Sequence, residues 1–401
     1  MLKKIFFFFQ SDLLFTISFF LALVASSFGR FDVHFIDFQV ILTLFGLMLT
    51  INGLEKAGLL NFIGQRLLSK SHSLRALIRT IVLLSFFSSM VLTNDVAILT
   101  LLPMYLLITK GIQEQKSVLL GAVYLIVAAN LGSSLFPFGN PQNLFLFSFY
   151  NLPLTTFLQT TGMMVVLSLT LLVGSIQLLP ASPLIIKKTT HLFEKKYTVL
   201  YLGLMALMIL GIFHVVPFVL SASIVAFVVY FFQKELFRSV DYRLLVTFAC
   251  FFVIIGNINE QDKLIEMIQP FFQKEQQAFL GSITLSQVIS NVPAAILIAP
   301  FTTYKKAVLL GVNVGGGHID CFVSEFDWLQ IDQASSPSRT KKIPSQVLYG
   351  EYSLLIHNRF NRLSLFRDRL IGTSRQAAVP EYTGQLLAFK RLGAHNRSPS
   401  Y

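Results

Sequence analysis

Two short polar segments stand in the middle of long apolar runs, where polar residues are expensive. Thr93-Asn94-Asp95 interrupts the run from Ile81 to Thr109, and Ser290-Asn291 interrupts the run from Ala278 to Thr303. Hydroxyl, amide and carboxylate oxygens bind small cations, and amide N–H groups bind anions. Both segments therefore predict the binding of an ion or of a small polar substrate.

Asp95 is the ionisable residue in the interior of a predicted span. A carboxylate at the centre of a membrane helix costs about 2.5–3.5 kcal/mol on insertion scales, and such residues usually mark an ion or proton path. A structural interpretation also exists, because an aspartate can cap the helix that follows it at Val96. The two roles are compatible.

A second pair of polar segments combines glycine and proline with amide side chains. The stretch from Gly132 to Asn143 interrupts one apolar run, and a further run carries the same Asn-x-Gly pattern near its end. Unwound backbone at membrane depth survives only where it lines a hydrated cavity or a binding site. An ordinary polar loop is the alternative. The candidate binding residues here are Asn130, Ser133, Gly139, Asn140, Pro141, Gln142, Asn143, Asn313 and Gly315.

The composition requires a bilayer around these segments. Of 401 residues, 54% are hydrophobic and only 13% are charged, whereas a soluble protein carries about 25% charged residues. Charge-free stretches such as 117–186 are long enough to cross a membrane. The chain is predicted to be an all-α polytopic membrane protein. Its net charge of +12 fits the excess of Lys and Arg in cytoplasmic loops, so no nucleic-acid partner is expected.

The predicted helices must hold the polar segments at the membrane midplane. Lys3 and Lys4 precede a first span that ends near Phe28, which predicts a cytoplasmic N-terminus. Glu55 to Arg79 is expected to form an amphipathic helix on the inner face. Each tip, at Thr93–Asp95 and at Ser290–Pro293, is expected to turn a re-entrant hairpin. Further spans are predicted over 38–52, 155–180, 198–215, 217–232 and 244–258.

An internal repeat relates the two sets of polar segments. Superimposing Asn94 on Asn291 aligns Val91-Leu92-Thr93 with Val288-Ile289-Ser290, and Asn130 falls on Asn313 in a second block. Two inverted repeats are therefore predicted, over about 36–180 and 198–315, each with a re-entrant hairpin and a broken helix. That pattern is typical of secondary transporters, which bind substrate and coupling ions at the breaks.

The tail after Gly315 departs in character from the membrane domain predicted for 1–315. Residues 316–401 are basic and contain no further window of about 20 apolar residues. One hypothesis is that the reading frame has shifted in the glycine run at Gly315–Gly317, so that the chain is an inactive, truncated product. A genuine basic, disordered cytoplasmic tail is the alternative.

The combined motifs resemble the ion transporter superfamily, in particular its arsenite-permease and citrate-carrier-like branch. The resemblance rests on Thr93-Asn94-Asp95-Val96-Ala97, Ala129 to Ser133 and Gly139-Asn140-Pro141-Gln142-Asn143, and it spans roughly residues 10–315. It implies a multi-pass plasma-membrane transporter of a small anion, such as citrate or an oxyanion, that forms a homodimer in the bilayer. It also implies Na⁺ or H⁺ as the coupling ion, with Na⁺ at Asn94, Asp95 and Asn291.

Two other transport functions remain open at this point. Asp95 stands where related dicarboxylate carriers have Thr. Because an aspartate can take up a proton, this difference favours H⁺ as the coupling ion. The other functions that the family resemblance leaves open are arsenite export and Na⁺/H⁺ antiport. An enzyme is not expected, because the sequence has no His-Glu-x-x-His motif and no pair of intramembrane aspartates. No cofactor is predicted apart from Na⁺ or H⁺ as the coupling ion.

Overall fold

The computed structural model describes residues 13–184 and 193–316, and within these ranges the chain is helical and has no β-strand. The helices are α1 (Leu13–Phe28), α2 (Phe38–Lys56), α3 (Leu59–Leu68), α4 (Leu74–Leu92), α5 (Asn94–Thr109), α6 (Gln115–Ser133), α7 (Pro141–Phe149), α8 (Leu154–Gln177), α9 (Lys195–Ile212), α10 (Phe218–Gln233), α11 (Tyr242–Asn259), α12 (Asp262–Ile268), α13 (Glu275–Ile289), α14 (Asn291–Ile298) and α15 (Lys305–Val314). Short 3₁₀ turns cover Val33–Phe35, Lys234–Ser239, Gln269–Phe272 and Ala299–Phe301.

Seven of the described helices are long and apolar enough to cross a bilayer: α2, α4, α6, α8, α9, α10 with the turn that extends it, and α11. Large apolar side chains cover their outer faces, among them Met163, Leu171, Phe227 and Phe231. A bilayer is the environment in which such faces are stable. The predicted class, an all-α polytopic membrane protein, is confirmed.

The single amphipathic helix predicted for Glu55 to Arg79 is wrong. The structure divides this stretch among the end of α2, the short helix α3 and the first turns of α4. Ser73 is the reason for the last division, because its side chain accepts a hydrogen bond from the N–H of Ala76 and starts a new helix. Arg75 therefore lies on the first arm of the hairpin, where its Nε donates to the carbonyl of Leu179 over 2.6 Å.

Each hairpin packs against the helix that follows it along the chain. Helices α4 and α5 lie on α6, and helices α13 and α14 lie on α15. A glycine permits the close approach in both halves. Gly132 lies directly against the backbone of Phe86 and the side chain of Ser89, and Gly315 lies against Ile283 and Ser286. In the alignment of the two tips, Phe86 corresponds to Ile283 and Ser89 to Ser286.

The remaining helices surround these units. Helix α2 packs against α9 and α10, and α1 packs against α11. The membrane-peripheral ends of these helices carry ion pairs, between Arg30 and Glu260 and between Lys56 and Glu235. Lys3 and Lys4, the basic residues Lys187 and Lys188, and the tail from Gly317 onward lie outside the described residues, so the interpretations placed on them stay predictions.

Candidate ion and substrate site

The two hairpin tips have the same backbone conformation. Thr93 has φ 72° and ψ 157°, and Ser290 has φ 78° and ψ 160°. In each case one helix ends at the residue before and the next helix begins at the residue after. Neither hydroxyl caps the helix that follows. The first N–H groups of α5 and α14 are therefore available to an anion.

The first tip is joined to the first broken helix by an amide pair. Asn94 Nδ2 donates to Asn130 Oδ1 over 2.9 Å, and Asn130 Nδ2 donates to the carbonyl of Ile126. The second bond establishes that Asn130 presents oxygen to Asn94. As a result Asn94 Oδ1 is buried and has no hydrogen-bond partner. The neighbouring Asp95 is exposed on the first turn of α5.

The second tip is more deeply buried than the first. Asn291 is 7% exposed, and its Oδ1 has no partner. Its amide nitrogen lies against Gly316 at the end of α15. Ser286 Oγ, one turn before the tip, is likewise buried without a partner. Two buried oxygen atoms without a hydrogen-bond partner therefore lie at or near the second tip.

The first helix break is held open by its own polar side chains. Asn140 has extended backbone and caps α7, since its Oδ1 accepts a hydrogen bond from the N–H of Asn143 over 2.9 Å. Pro141 occupies the first position of α7, where a missing N–H costs nothing. Asn140 Nδ2 donates back to Ser133 Oγ over 3.2 Å. These contacts explain why the helix ends at Ser133 and restarts at Pro141.

Asn313 connects this break to the second half of the chain. Its Nδ2 donates to Asn143 Oδ1 over 2.7 Å and to the carbonyl of Leu309 over 2.8 Å. Its Oδ1 accepts hydrogen bonds from Ser134 Oγ over 2.9 Å and from Asn140 Nδ2 over 3.4 Å. Every hydrogen-bonding position of this amide is occupied, so Asn313 joins two helices and has no capacity left for a ligand.

The structure therefore divides the predicted site residues into two groups. One group forms the largely buried network that joins α6, α7 and α15: Asn130, Ser133, Asn140, Asn143 and Asn313. The other carries unused hydrogen-bonding capacity at the tips: Asn94, Asp95 and Asn291. Asn94, Asp95 and Asn291 make no hydrogen bond with one another in the described part of the chain. Gly139 packs on Ser133, Gln142 is buried in the first turn of α7, and Gly315 accepts a hydrogen bond from Gln287 Nε2.

Sequence reasoning missed three members of this region. Ser134 bridges Asn130 and Asn313, although it lies inside the stretch that the motif marked. Ser89 lies against Gly132, and Ser286 lies against Gly315. Extending the alignment of the two tips from Val91 and Val288 by two residues toward the N-terminus would have found this second pair. Within residues 13–184 and 193–316, no group of three His, Cys, Asp or Glu side chains is placed to hold a metal ion.

The helices and their paired tips define a multi-pass membrane protein with polar backbone breaks in its interior. The model of the citrate transporter family matches residues 5–307. A transporter of Methanocaldococcus jannaschii, MJ0456, is 29% identical over 286 residues, which are 71% of this chain and 77% of that protein. The Escherichia coli inner membrane protein YbiR is 29% identical over 285 residues, which are 70% of this chain and 76% of that protein. A Dictyostelium discoideum protein named as a transporter, arsB, is 32% identical over 109 residues, which are 27% of this chain and 19% of that protein.

The chain belongs to the citrate transporter family, and it is a membrane transporter. The predicted resemblance to the ion transporter superfamily is confirmed.

Proposed function

We propose that this protein is a secondary active transporter that moves a small anion together with a coupling cation. The observation that carries the proposal is the pair of tips, where Asn94 Oδ1 and Asn291 Oδ1 are buried without partners beside uncapped helix N-termini. Amide oxygens are suited to a hard cation such as Na⁺. The N–H groups of the first helical turns are suited to an anion.

The charge pattern supports coupling. No Lys or Arg occurs between Lys116 and Lys187 or between Glu275 and Lys305, so the first break and the second hairpin offer no cationic side chain to an anion. Helix N-termini balance only part of a full negative charge. A cation that enters with the anion balances the remainder, which gives a physical reason for symport.

Asp95 is the proposed coupling residue. It is exposed at the first tip and has no hydrogen bond or ion pair with another described side chain. A carboxylate in that position takes up either Na⁺ or H⁺. We propose citrate or another small carboxylate as the anion, with an oxyanion as the second choice. Arsenite export and Na⁺/H⁺ antiport are the alternatives that the family resemblance leaves.

We further propose that the two halves are repeats of opposite orientation. The equal tip conformations and the corresponding contacts of Gly132 and Gly315 support a common structural plan. Plasma-membrane location, a cytoplasmic N-terminus and homodimer formation stay predictions from the sequence.

Uptake into liposomes tests the function. The full-length chain is reconstituted, and labelled citrate uptake is measured under an imposed Na⁺ gradient, an imposed H⁺ gradient and no gradient. We expect uptake with one of the two gradients and a loss of at least about tenfold, or 1.4 kcal/mol, in Asp95→Asn. The matched control is Asp262→Asn, because Asp262 is an exposed aspartate on α12.

The opposite results are equally informative. Absence of citrate uptake with both gradients would exclude a citrate carrier and favour arsenite export or cation antiport. Cation exchange that depends on pH and needs no anion would identify the antiporter. Absence of every transport activity would favour the inactive product suggested by the tail.

A further inference from the structure

The end of the first hairpin that lies opposite its tip is basic. Residues 57–80, 109–117 and 178–184 form this end, and Glu114 is the one acidic residue among them. The carboxylate of Glu114 accepts a hydrogen bond from the side chain of Ser182. The Lys and Arg side chains of the same segments are here called the basic face: Arg66, Lys70, Arg75, Arg79, Lys110 and Lys116.

Packing contacts bring these segments together. Helix α3 packs against α4 and against α5. The segment that follows α8 is joined to the start of α4, because the N–H of Leu74 donates to the carbonyl of Ser182 over 2.9 Å. The hydrogen bond between Ser182 and Glu114 joins the same segment to the start of α6. The basic face is therefore one surface that four helix ends share.

The charge of the basic face is not neutralised within the described residues. The ion pairs found there join other residues, and none of them includes a member of the basic face. Arg75 Nε donates to the carbonyl of Leu179, which holds the guanidinium group in place. Its terminal N–H groups bond to no other described residue. Several cations are thus held at one surface without a counter-charge.

Neighbouring segments at this end of the helices are different. Helix α3 directly follows α2, whose last residue, Lys56, forms an ion pair with Glu235. Further acidic residues, Glu194 and Asp241, accompany the basic residues at the starts of α9 and α11. The orientation of a membrane protein explains an excess of Lys and Arg at one end. It does not explain why the unpaired charge is concentrated at the first hairpin, whereas an anionic ligand does.

Exposed leucines border the basic face. Leu67 follows Arg66 and is 40% exposed, Leu107 lies one turn before Lys110 and is 75% exposed, and Leu178 at the end of α8 is 87% exposed. In a bilayer such side chains contact acyl chains. A ligand that meets both the leucines and the unpaired cations needs a hydrocarbon part and an anionic part. An anionic phospholipid has both, whereas a soluble anion has only the second.

We propose that the basic face binds the phosphate groups of anionic phospholipids in the adjoining leaflet and thereby anchors the base of the first hairpin. Guanidinium groups bind phosphate oxygens through two parallel hydrogen bonds, and lysines add a point charge. Basic clusters beside the ends of membrane helices recognise anionic head groups in this way. The interaction does not depend on which substrate the chain transports.

Retention of labelled lipid tests the proposal. The full-length chain is purified in detergent and incubated with radiolabelled phosphatidylglycerol or phosphatidylcholine, and the lipid that stays with the protein on affinity capture is counted. We expect at least about fivefold more phosphatidylglycerol than phosphatidylcholine, and a smaller difference at high salt. An excess of inorganic phosphate should not displace the lipid, because phosphate makes no contact with the leucines.

The charge variant removes exposed cations of the basic face and leaves the contact between Arg75 and Leu179 intact: Arg66→Gln, Lys70→Gln, Arg79→Gln and Lys110→Gln. It should retain at least about fivefold less phosphatidylglycerol than the parent. The matched control changes the net charge equally at exposed lysines outside the basic face: Lys263→Gln, Lys274→Gln, Lys305→Gln and Lys306→Gln. The control should retain as much lipid as the parent.

Three results would overturn the proposal: equal retention of the two lipids, equal retention by the parent and the charge variant, or an equal loss in the charge variant and the control. Displacement of phosphatidylglycerol by inorganic phosphate would also overturn it and identify a site for soluble anions. Gel filtration establishes that each variant is folded. If the charge variant aggregates, Arg66→Gln with Lys110→Gln takes its place, and Lys263→Gln with Lys306→Gln is its control.

Discussion

Thr93 and Ser290 occupy the same strained region of backbone space, at φ 72°, ψ 157° and at φ 78°, ψ 160°. Only glycine adopts this region freely. For any other residue, this backbone conformation raises the free energy of the folded state by of order 1–3 kcal/mol. The strain lies where two helices meet with a single residue between them. The surrounding packing must therefore hold both tips in place, which is typical of a binding or switching region.

Glycine and proline at the tips should have opposite effects on stability. Thr93→Gly and Ser290→Gly remove the side-chain clash and should raise the free energy of unfolding by about 1 kcal/mol, after the larger entropy of glycine in the unfolded chain is subtracted. Thr93→Pro and Ser290→Pro should lower it strongly, because proline holds φ near −65°. Thermal unfolding in detergent measures both. If the glycine and proline variants lost the same amount of stability, the strained backbone geometry would be contradicted.

Alanine at the two packing glycines should be destabilising. A methyl group on Gly132 would overlap the carbonyl of Phe86, and on Gly315 it would lie 2.7 Å from Ser286 Cβ. The helices must separate, so we expect a loss of about 1–3 kcal/mol for each substitution.

Two helical glycines in open space provide the control for this prediction. Gly162 in α8 and Gly203 in α9 have no neighbour that an added methyl group would meet. Gly162→Ala and Gly203→Ala should therefore raise stability by up to about 1 kcal/mol through helix propensity. Similar melting temperatures for all four variants would show that the broken helices do not depend on close approach.

Loss of Asn313 should destabilise the fold more than loss of an exposed amide. Asn313→Ala leaves Asn143 Oδ1 without its donor and removes one of the two acceptors of Ser134 Oγ, all inside a buried network. We expect a cost of about 3 kcal/mol. Asn52→Ala removes one hydrogen bond at an exposed position and should cost less than about 1 kcal/mol. Melting temperatures in detergent compare the two, and equal shifts would exclude a linking role for Asn313.

Acid should weaken the segment that joins α1 to α2. Hydrogen bonds from the backbone N–H and then the side chain of His34 hold the pKa of Asp32 below its ordinary value, and the nearby Arg30 adds to this effect. The ionised carboxylate is favoured in the folded state, so its contribution is present above about pH 4 and is lost as the pH falls through the lowered pKa.

Asp32→Asn should therefore remove part of the acid dependence. The variant should be slightly less stable than the parent at pH 7, and the difference in melting temperature should shrink as the pH is lowered below 4. Asp262→Asn should show no such trend, because Asp262 is exposed and makes no ion pair in the described residues. A constant difference at all pH values would show that Asp32 acts through packing and not through its charge.

The two tips could be located from the sequence because a polar interruption in an apolar run is a local property. Thr93, Ser290 and the break at Gly132–Asn143 fall where that pattern predicts them. The start of the first hairpin could not be found in this way. Arg75 and Arg79 seemed to belong to a surface helix, and only the cap at Ser73 and the contact of Arg75 with Leu179 show that they belong to α4.

The sequence by itself determined the class of this protein and the positions of its two tips and of the break between α6 and α7, because hydropathy and helix-breaking residues act over short distances along the chain. Only the tertiary structure decided how those residues are used. Asn313 and Asn291 are both buried amides near one helix end, yet the first has every hydrogen bond satisfied and the second has an oxygen without a partner. That difference depends on which side chains meet across the two halves, and pairing at such a distance is set by the packing of whole helices.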